Sequence, residues 1–318
     1  VTLRSTVWES WYSDWGAEGG SVLDLVLAHV RTLRPWTRLW FDTLTPLALI
    51  VVLTGWDPPW GRAWLFVAVM NLIHGAATLL NDLQDVESDR ASEELLRRTR
   101  PIARGVLSRR LVWWEIAVMT GLALLLAASM GWASFALWVV VCLLIAAHEL
   151  PPVRTQSRPV LAQVVGLAMA FAIFGALIAA FGVDDAGTTV PYLVFVSLYI
   201  SLAGTLVKDL RDIDSDAEGG KTTTAVAYGA AKTAALAAAA YLLAAIPWLW
   251  FVLAADGVRH EWLLWVASGL LLAWGATTAG LSRRFRRVAG QAERRFVHRG
   301  AIVVLSLINL AVILAHVA

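Results

Sequence analysis

The sequence predicts an all-α integral membrane protein with nine transmembrane helices. Three observations carry that expectation. Composition is the first: 58% of the 318 residues are apolar and mean hydropathy is +0.66, whereas soluble domains hold about 45–50% apolar residues. The second is segmentation, because nine runs approach the ~20 apolar residues that cross a hydrocarbon core. The third is the sorting of basic residues between those runs: 24 Lys and Arg fall on one side and two on the other, and an excess of that kind marks cytoplasmic loops. Cys142 is the only cysteine and lies in an apolar run, so no disulfide framework is expected.

Residues 1–36 read as a cytoplasmic N-terminal segment, and residues 37–318 as one transmembrane domain. Trp8, Trp11 and Trp15 stand beside Glu9, Asp14 and Glu18, a pattern unlike a signal or transit peptide. Residues 21–33 read either as an amphipathic helix on the membrane surface or as a segment packed on the cytoplasmic loops. The nine spans are 37–56, 62–80, 111–130, 132–148, 160–182, 190–207, 225–254, 261–281 and 300–317. Runs 132–148 and 190–207 are short, and Pro247 is a kink position in 225–254. Trp56, Trp60, Trp132, Trp248 and Trp262 lie near span ends, as interfacial anchors do. Lys and Arg number four through Arg38, seven in 81–110, two in 148–159, four in 208–232 and seven in 282–299; only Arg62 and Arg259 lie opposite. That places the N-terminus and the charged segments in the cytoplasm and the C-terminus across the membrane.

One charged stretch, residues 208–222 (KDLRDIDSDAEGGKT), sits between two greasy runs. A calcium loop starting at Asp212 requires Gly and Glu where Ala217 and Thr223 stand, so it is excluded. A phosphate loop ending in Gly220-Lys221-Thr222 requires Gly at Ser215, so it is excluded too. Instead, Asp209, Asp212 and Asp216 repeat the i, i+3, i+7 spacing of Asp82, Asp85 and Asp89 in NDLQDVESDR, residues 81–90. At about 100° per residue each triplet presents its carboxylates to one side of a helix. Asn81 adds an amide oxygen, while Glu87 and Asp214 point elsewhere. Each triplet starts where a span ends, because carboxylates at the bilayer centre cost about 2.5–3.5 kcal/mol each. Clusters rich in oxygen and lacking thiol or imidazole suit a hard divalent cation, Mg²⁺ above all. Two facing clusters would clamp one diphosphate. Arg97, Arg98, Arg100 and Arg104 follow the first triplet, and Lys208, Arg211 and Lys221 flank the second; such cations neutralise a leaving diphosphate.

With both motifs in view, the chain resembles the UbiA superfamily of intramembrane prenyltransferases. NDLQDVESD resembles the family's Asn-Asp-x-x-Asp-x-x-x-Asp motif, and RPIARG, residues 100–105, its basic continuation. DLRDIDSDAEGGKTT resembles the second motif. The resemblance implies a nine-helix bundle with a central cavity opening to the cytoplasmic side. It implies that the motifs face each other and bind Mg²⁺ with a polyprenyl diphosphate, whose tail lies in a groove open to lipid. It implies metal ligation by Asn81, Asp82, Asp85, Asp89, Asp209, Asp212 and Asp216. Diphosphate contacts would come from Asn81, Arg97, Arg100, Arg154, Lys208 and Lys221.

The resemblance has one departure. Where many members carry Tyr between spans four and five, this chain reads HELPPVRTQSRP, beginning at His148 and Glu149. Either is a candidate proton acceptor, or the pair is a polar helix end. The expected reaction is Mg²⁺-dependent ionisation of a prenyl diphosphate, followed by capture of the allylic cation by a small aromatic or quinone-precursor acceptor. A terpene cyclase on the same scaffold would need no acceptor. A divalent-cation transporter would place acidic residues near mid-span, which the triplets do not. The partners expected are the two substrates and the lipid bilayer, with no nucleic acid.

Overall fold

The computed structural model describes residues 22–35, 38–55, 58–91, 100–183, 185–255, 258–286 and 290–316. Arg97, Arg98 and Trp56 lie outside these residues. Thirteen α-helices are assigned among them: α1 (Val22–Thr32), α2 (Leu44–Thr54), α3 (Trp60–Gln84), α4 (Val86–Ala91), α5 (Arg109–Ser129), α6 (Trp132–Glu149), α7 (Leu161–Phe181), α8 (Ala186–Ser197), α9 (Thr205–Glu218), α10 (Thr224–Tyr228), α11 (Ala230–Ala254), α12 (Glu261–Arg284) and α13 (Gln291–His316). Eight helical segments are long and apolar enough to cross a membrane, and Phe41–Thr54 forms a shorter apolar helix at the first predicted span. The chain is thus a multi-pass integral membrane protein.

Several spans differ from the expected bounds for local reasons. The run 190–207 is part of one helical stretch, Ala186–Glu218, in which a π-helical segment, Leu198–Gly204, joins α8 to α9. The run 225–254 is broken at Gly229, whose φ of 81° is a left-handed conformation that glycine adopts without a Cβ penalty. Helix α11 then continues through Pro247. Helix α13 starts at Gln291, inside the basic segment, because its first turns pack through Arg294 and Val297, both buried. Side-chain caps fix two starts: Ser108 Oγ accepts from Leu111 N at 3.2 Å, and Asp185 Oδ1 accepts from Gly187 N at 2.8 Å.

The helices close on themselves. Helix α2 packs on α3, α3 on α5, α5 on α6, α6 on α7, α7 on the π segment, α8 on α11, α11 on α12, α12 on α13, and α13 back on α2. Polar side chains tie this seam: Tyr192 OH donates to Asn309 Oδ1 at 2.7 Å, and Asn309 Nδ2 donates to Thr45 Oγ1 at 2.8 Å. An aromatic block of Tyr192, Phe195, Tyr199, Tyr241, Trp248 and Phe251 fills the contact of α8 and the π segment with α11. Trp248 corrects one expectation. It is a core residue, fully buried, donating from Nε1 to Ser268 Oγ at 2.8 Å; it is not an interfacial anchor. Trp60, Trp132 and Trp262 are exposed at helix starts, as anchors are.

The N-terminal segment takes the packed alternative on one face. Ala28 joins a buried cluster with Leu79, Leu83, Val86, Ile102 and Leu107, and His29 pairs with Glu115. Val26 and Val30 on the same helix are exposed. Helix α1 therefore lies against the end of α3 that carries the first aspartate triplet.

Candidate functional site

A polar cavity opens at one end of the helix ring. Its wall takes Asn81 from the end of α3, Asp89 from α4, and Asp209, Asp212 and Asp216 from α9. Asp85, at the break between α3 and α4, lines it as well. Both triplets thus contribute to one space, the first through Asp85 and Asp89 only.

They reach it differently. The second triplet rides on one continuous helix, Thr205–Glu218. The first is split: α3 ends at Gln84 and α4 starts at Val86, with Asp85 between them at φ −94° and ψ 4°. Helical hydrogen bonding still bridges the break, since Asp85 N donates to Asn81 O at 3.0 Å and Asp89 N to Asp85 O at 2.7 Å. Asp85 and Asp89 share the cavity for that reason, whereas Asp82, expected on the same side, is taken up by Arg34 and Arg100. The off-face residues go where the spacing sends them: Asp214 pairs with Arg294, and Glu87 with Arg109 at 2.9 Å.

Cations hold nearly every carboxylate. Asp82 receives Arg34 Nη2 at 2.6 Å and also Arg100. Arg100 Nε lies 3.4 Å from Asp89 Oδ2. Asp85 receives Arg154 Nη2 at 2.9 Å on Oδ1 and Lys221 Nζ at 2.7 Å on Oδ2. Lys221 Nζ also lies 3.6 Å from Asp216 Oδ1, so one ammonium spans both triplets. Arg211 Nε donates to Asp212 Oδ1 at 2.6 Å, and its Nη1 lies 3.2 Å from His298 Nε2 on α13. Asp209 Oδ2 accepts from Thr224 N at 3.3 Å. Lys208 lines the cavity and makes no ion pair among the described residues.

Burial and crowding set the charge states outside the spans. Burial pushes the Asp89 carboxyl up to about 6; Arg100 opposes the rise, and Asp82 and Asp85 add to it. Burial alone would weaken the hold of Arg100 on its proton, but Asp82 and Asp89 outweigh it and the pKa is raised. Lys221 behaves likewise, with Asp85 and Asp216 overcoming burial. For Arg34 burial wins over Asp82, and its pKa is lowered.

The sequence-derived candidates divide into wall and support. Asp85, Asp89, the three α9 aspartates, Asn81, Arg100, Lys208, Lys221 and His148 line the cavity. Asp82, Arg154 and Glu149 stand behind it, each bonded to a lining residue. Asn81 Nδ2 donates at 3.0 Å to Glu149 Oε2 and at 3.0 Å to Gln156 Oε1. Those bonds use the amide nitrogen and leave the carbonyl oxygen as the side chain's donor atom toward a cation. His148 Nδ1 bonds Thr155 Oγ1 at 2.9 Å. Arg34, Gln156 and His298 join the site without a motif to announce them. Arg34 arrives by packing of α1, and His298 from a helix 87 residues away in sequence from Arg211; neither carries a local signal.

The donor set fits a hard divalent cation. It offers carboxylate and amide oxygens without thiolate, the ligand chemistry of Mg²⁺. Among the described residues no three His, Cys, Asp or Glu side chains already converge as a metal cluster. Lysine and arginine cations neutralise the carboxylates that a divalent ion would bind.

Comparison with known proteins agrees with this geometry. The sequence model of the UbiA prenyltransferase family matches residues 43–308. A digeranylgeranylglyceryl phosphate synthase of Thermococcus gammatolerans is 30% identical over 57% of this chain and 62% of its own length. The enzyme of that name from Pyrococcus horikoshii is 26% identical over 66% of this chain and 72% of its own length. The first of these matches therefore spans less than two thirds of the relative. Among solved structures, a UbiA homologue from Archaeoglobus fulgidus bound to GPP and Mg²⁺ superposes with a TM-score of 0.65 at 17% identity, covering 88% of this chain and 99% of that one. The likeness establishes a shared fold.

Proposed function

Because the chain belongs to the UbiA prenyltransferase family, we propose that it transfers a prenyl group from a prenyl diphosphate to an acceptor, with Mg²⁺ as cofactor, in the cavity between the triplets. The bridging of Asp85 and Asp216 by Lys221 carries this reading: one polar cavity is bounded by both motifs and by cationic side chains. Asn81, Asp85, Asp89, Asp209, Asp212 and Asp216 would hold Mg²⁺, with Asp82 fixing Arg100 beside them. When bound, the ion supplies charge neutralisation to the diphosphate oxygens. Arg100, Lys208 and Lys221 add hydrogen bonds that strengthen as the C–O bond breaks and negative charge gathers on the leaving group. Arg154 holds Asp85 in place. Arg97, outside the described residues, is a further proposed diphosphate contact on the sequence alone.

The acceptor reading shifts relative to the sequence. An aromatic or quinone-precursor acceptor was the expectation from sequence. The relatives' name, digeranylgeranylglyceryl phosphate synthase, favours a glyceryl phosphate that already carries one prenyl chain. Transfer would then make an ether. The 24-to-2 sorting of basic residues supports a cytoplasmic cavity mouth and N-terminus.

The test is product analysis. Purified full-length chain in phospholipid vesicles is given prenyl diphosphates of several lengths and Mg²⁺, with a monoprenyl glyceryl phosphate, with an aromatic acid, and with neither. An Mg²⁺-dependent ether supports the reading. A prenylated ring shifts the acceptor class, and a cyclic or hydrocarbon product without acceptor replaces transfer by cyclisation.

A further inference from the structure

Helix α3 carries a polar stripe whose inner part the diphosphate chemistry does not use. Asn71, His74, Thr78, Asn81 and Asp85 follow at steps of three and four residues, so they share one helix face. The outer two, Asn81 and Asp85, line the cavity. The inner three continue that face into the span, where polar side chains are costly and mark function by default.

The inner end is built. Asp42, 1% exposed, accepts from the His74 ring at Nδ1, 2.5 Å away. Arg38 locks the other side, donating from Nη1 to Asn71 O at 3.0 Å and to Asp42 Oδ2 at 3.4 Å. Its Nη2 donates to His74 O at 3.0 Å and to Thr78 Oγ1 at 2.9 Å, and its Nε donates to Leu33 O. All five guanidinium donors are thereby engaged. Arg38 balances the charge of Asp42 and has no donor left for an anionic ligand. The His74 side chain is 41% exposed, its Nε2 meets no partner among the described residues, and Phe41 touches the ring edge-on at 6.5 Å between centroids.

We propose that His74, oriented by Asp42, is the base that takes the proton from the acceptor's hydroxyl, the nucleophile of the ether-forming transfer. The inference rests on the transferase reading above. The fixed Nδ1–H···Asp42 bond leaves the lone pair on Nε2, the tautomer a general base requires. In the step, the carbon–oxygen bond to diphosphate breaks with its electron pair leaving on the diphosphate. The acceptor oxygen bonds that carbon, and the hydroxyl proton passes to His74 Nε2. His74 lies seven residues before Asn81, about 10 Å deeper at 1.5 Å per residue, on the helix face that Asn81 and Asp85 carry to the cavity.

The test compares wild type, H74A, H74Q and D42N in vesicles, with geranylgeranyl diphosphate, Mg²⁺ and a monoprenyl glyceryl phosphate. We expect H74A and H74Q to lose about 100-fold or more in kcat, with D42N in between. Stabilisation of each variant by Mg²⁺ plus geranylgeranyl diphosphate, read as a thermal shift, stays at the wild-type value. Added imidazole restores turnover to H74A. Rates in H74A within about threefold of wild type, far below the usual contribution of a base, overturn the proposal. So does loss of the donor-induced shift together with turnover and without imidazole rescue, which assigns His74 a structural role. A wild type that makes no ether sinks the transferase reading itself, whereas an active wild type with an unimpaired H74A sinks this inference alone.

Discussion

Lys221 Nζ stands 2.7 Å from Asp85 Oδ2, across the cavity from the helix that precedes Lys221 in the chain. The contact joins the two aspartate motifs directly, and it does so through a loop, residues 219–223, rather than through helix packing. Its carboxylate partners raise the pKa of Lys221 despite burial, so the ammonium stays charged where a diphosphate would arrive. Replacing it removes a preorganised donor. Lys221→Met is expected to lower kcat/KM for the prenyl diphosphate by on the order of 10²–10³. Steady-state kinetics at saturating Mg²⁺ measures this, and a change below about threefold would falsify the role.

Asp85 and Asp212 sit on opposite walls, so both are needed for a shared ion–diphosphate complex. Asp85→Asn and Asp212→Asn keep side-chain size and remove the charge. Each is expected to abolish turnover while circular dichroism stays helical. In wild type, Mg²⁺ with inorganic diphosphate at about 100 times its Kd should stabilise the fold by about 2.7 kcal/mol. Thermal unfolding in detergent reads the shift. A variant that keeps the full shift shows that its carboxylate is outside the complex.

Asp89 gives the metal-free protein a pH dependence of known sign. Its carboxyl is raised from 3.8 to about 6 by burial, so the folded state holds the proton more tightly than the unfolded chain does. The folded state is favoured by that proton at low pH, and the advantage fades as pH rises from about 4 through about 6. Asp89→Asn removes the titration. Unfolding midpoints of the metal-free proteins at pH 4.5 and pH 7 should therefore differ less in the variant than in wild type. An unchanged difference would show that Asp89 titrates normally.

Gly300 tests the packing of the last two helices. A Cβ there would lie 2.0 Å from Trp274 Cη2, against a ring held between α12 and α13. Gly300→Ala is expected to destabilise by about 1–3 kcal/mol through overpacking. Gly280→Ala is the control, since nothing stands within 4 Å of its Cβ and alanine favours helix by up to about 1 kcal/mol. Equal midpoints for the two variants would remove the steric argument.

Much of the site was legible because its information is local. Asp209, Asp212 and Asp216 share one helix, and a period of 3.6 residues is enough to align them. Lys221 was legible from its closeness in sequence to that triplet. Arg34 was not, because its place beside Asp82 depends on α1 packing over residues 79–107, a tertiary contact with no sequence period. Trp248 was misread because distance from a run's end says little about which face of a helix it occupies; Ser268 and Phe195 claim it for the core. The stripe through His74 was hidden by averaging. Hydropathy over about 20 residues tolerates three polar side chains, whereas their spacing is what sets them on one face. The break at Asp85 has no sequence signal, because no Gly or Pro stands in residues 81–90 to mark it.

The π segment Leu198–Gly204 has a consequence for how the chain tolerates insertions and deletions. A π turn is an α-helix with one residue too many. Removing one residue from it would restore the ordinary pitch and leave the downstream helix nearly in phase, because the wide turn already absorbs that residue; the same deletion in an ordinary α turn would rotate everything downstream by about 100°. In that second case Asp209, Asp212 and Asp216 would face away from Asp85, with both motifs intact letter by letter. The phase of the second motif is thus set outside the motif, and the seven residues of the π segment are where the helix can lose one without losing that phase.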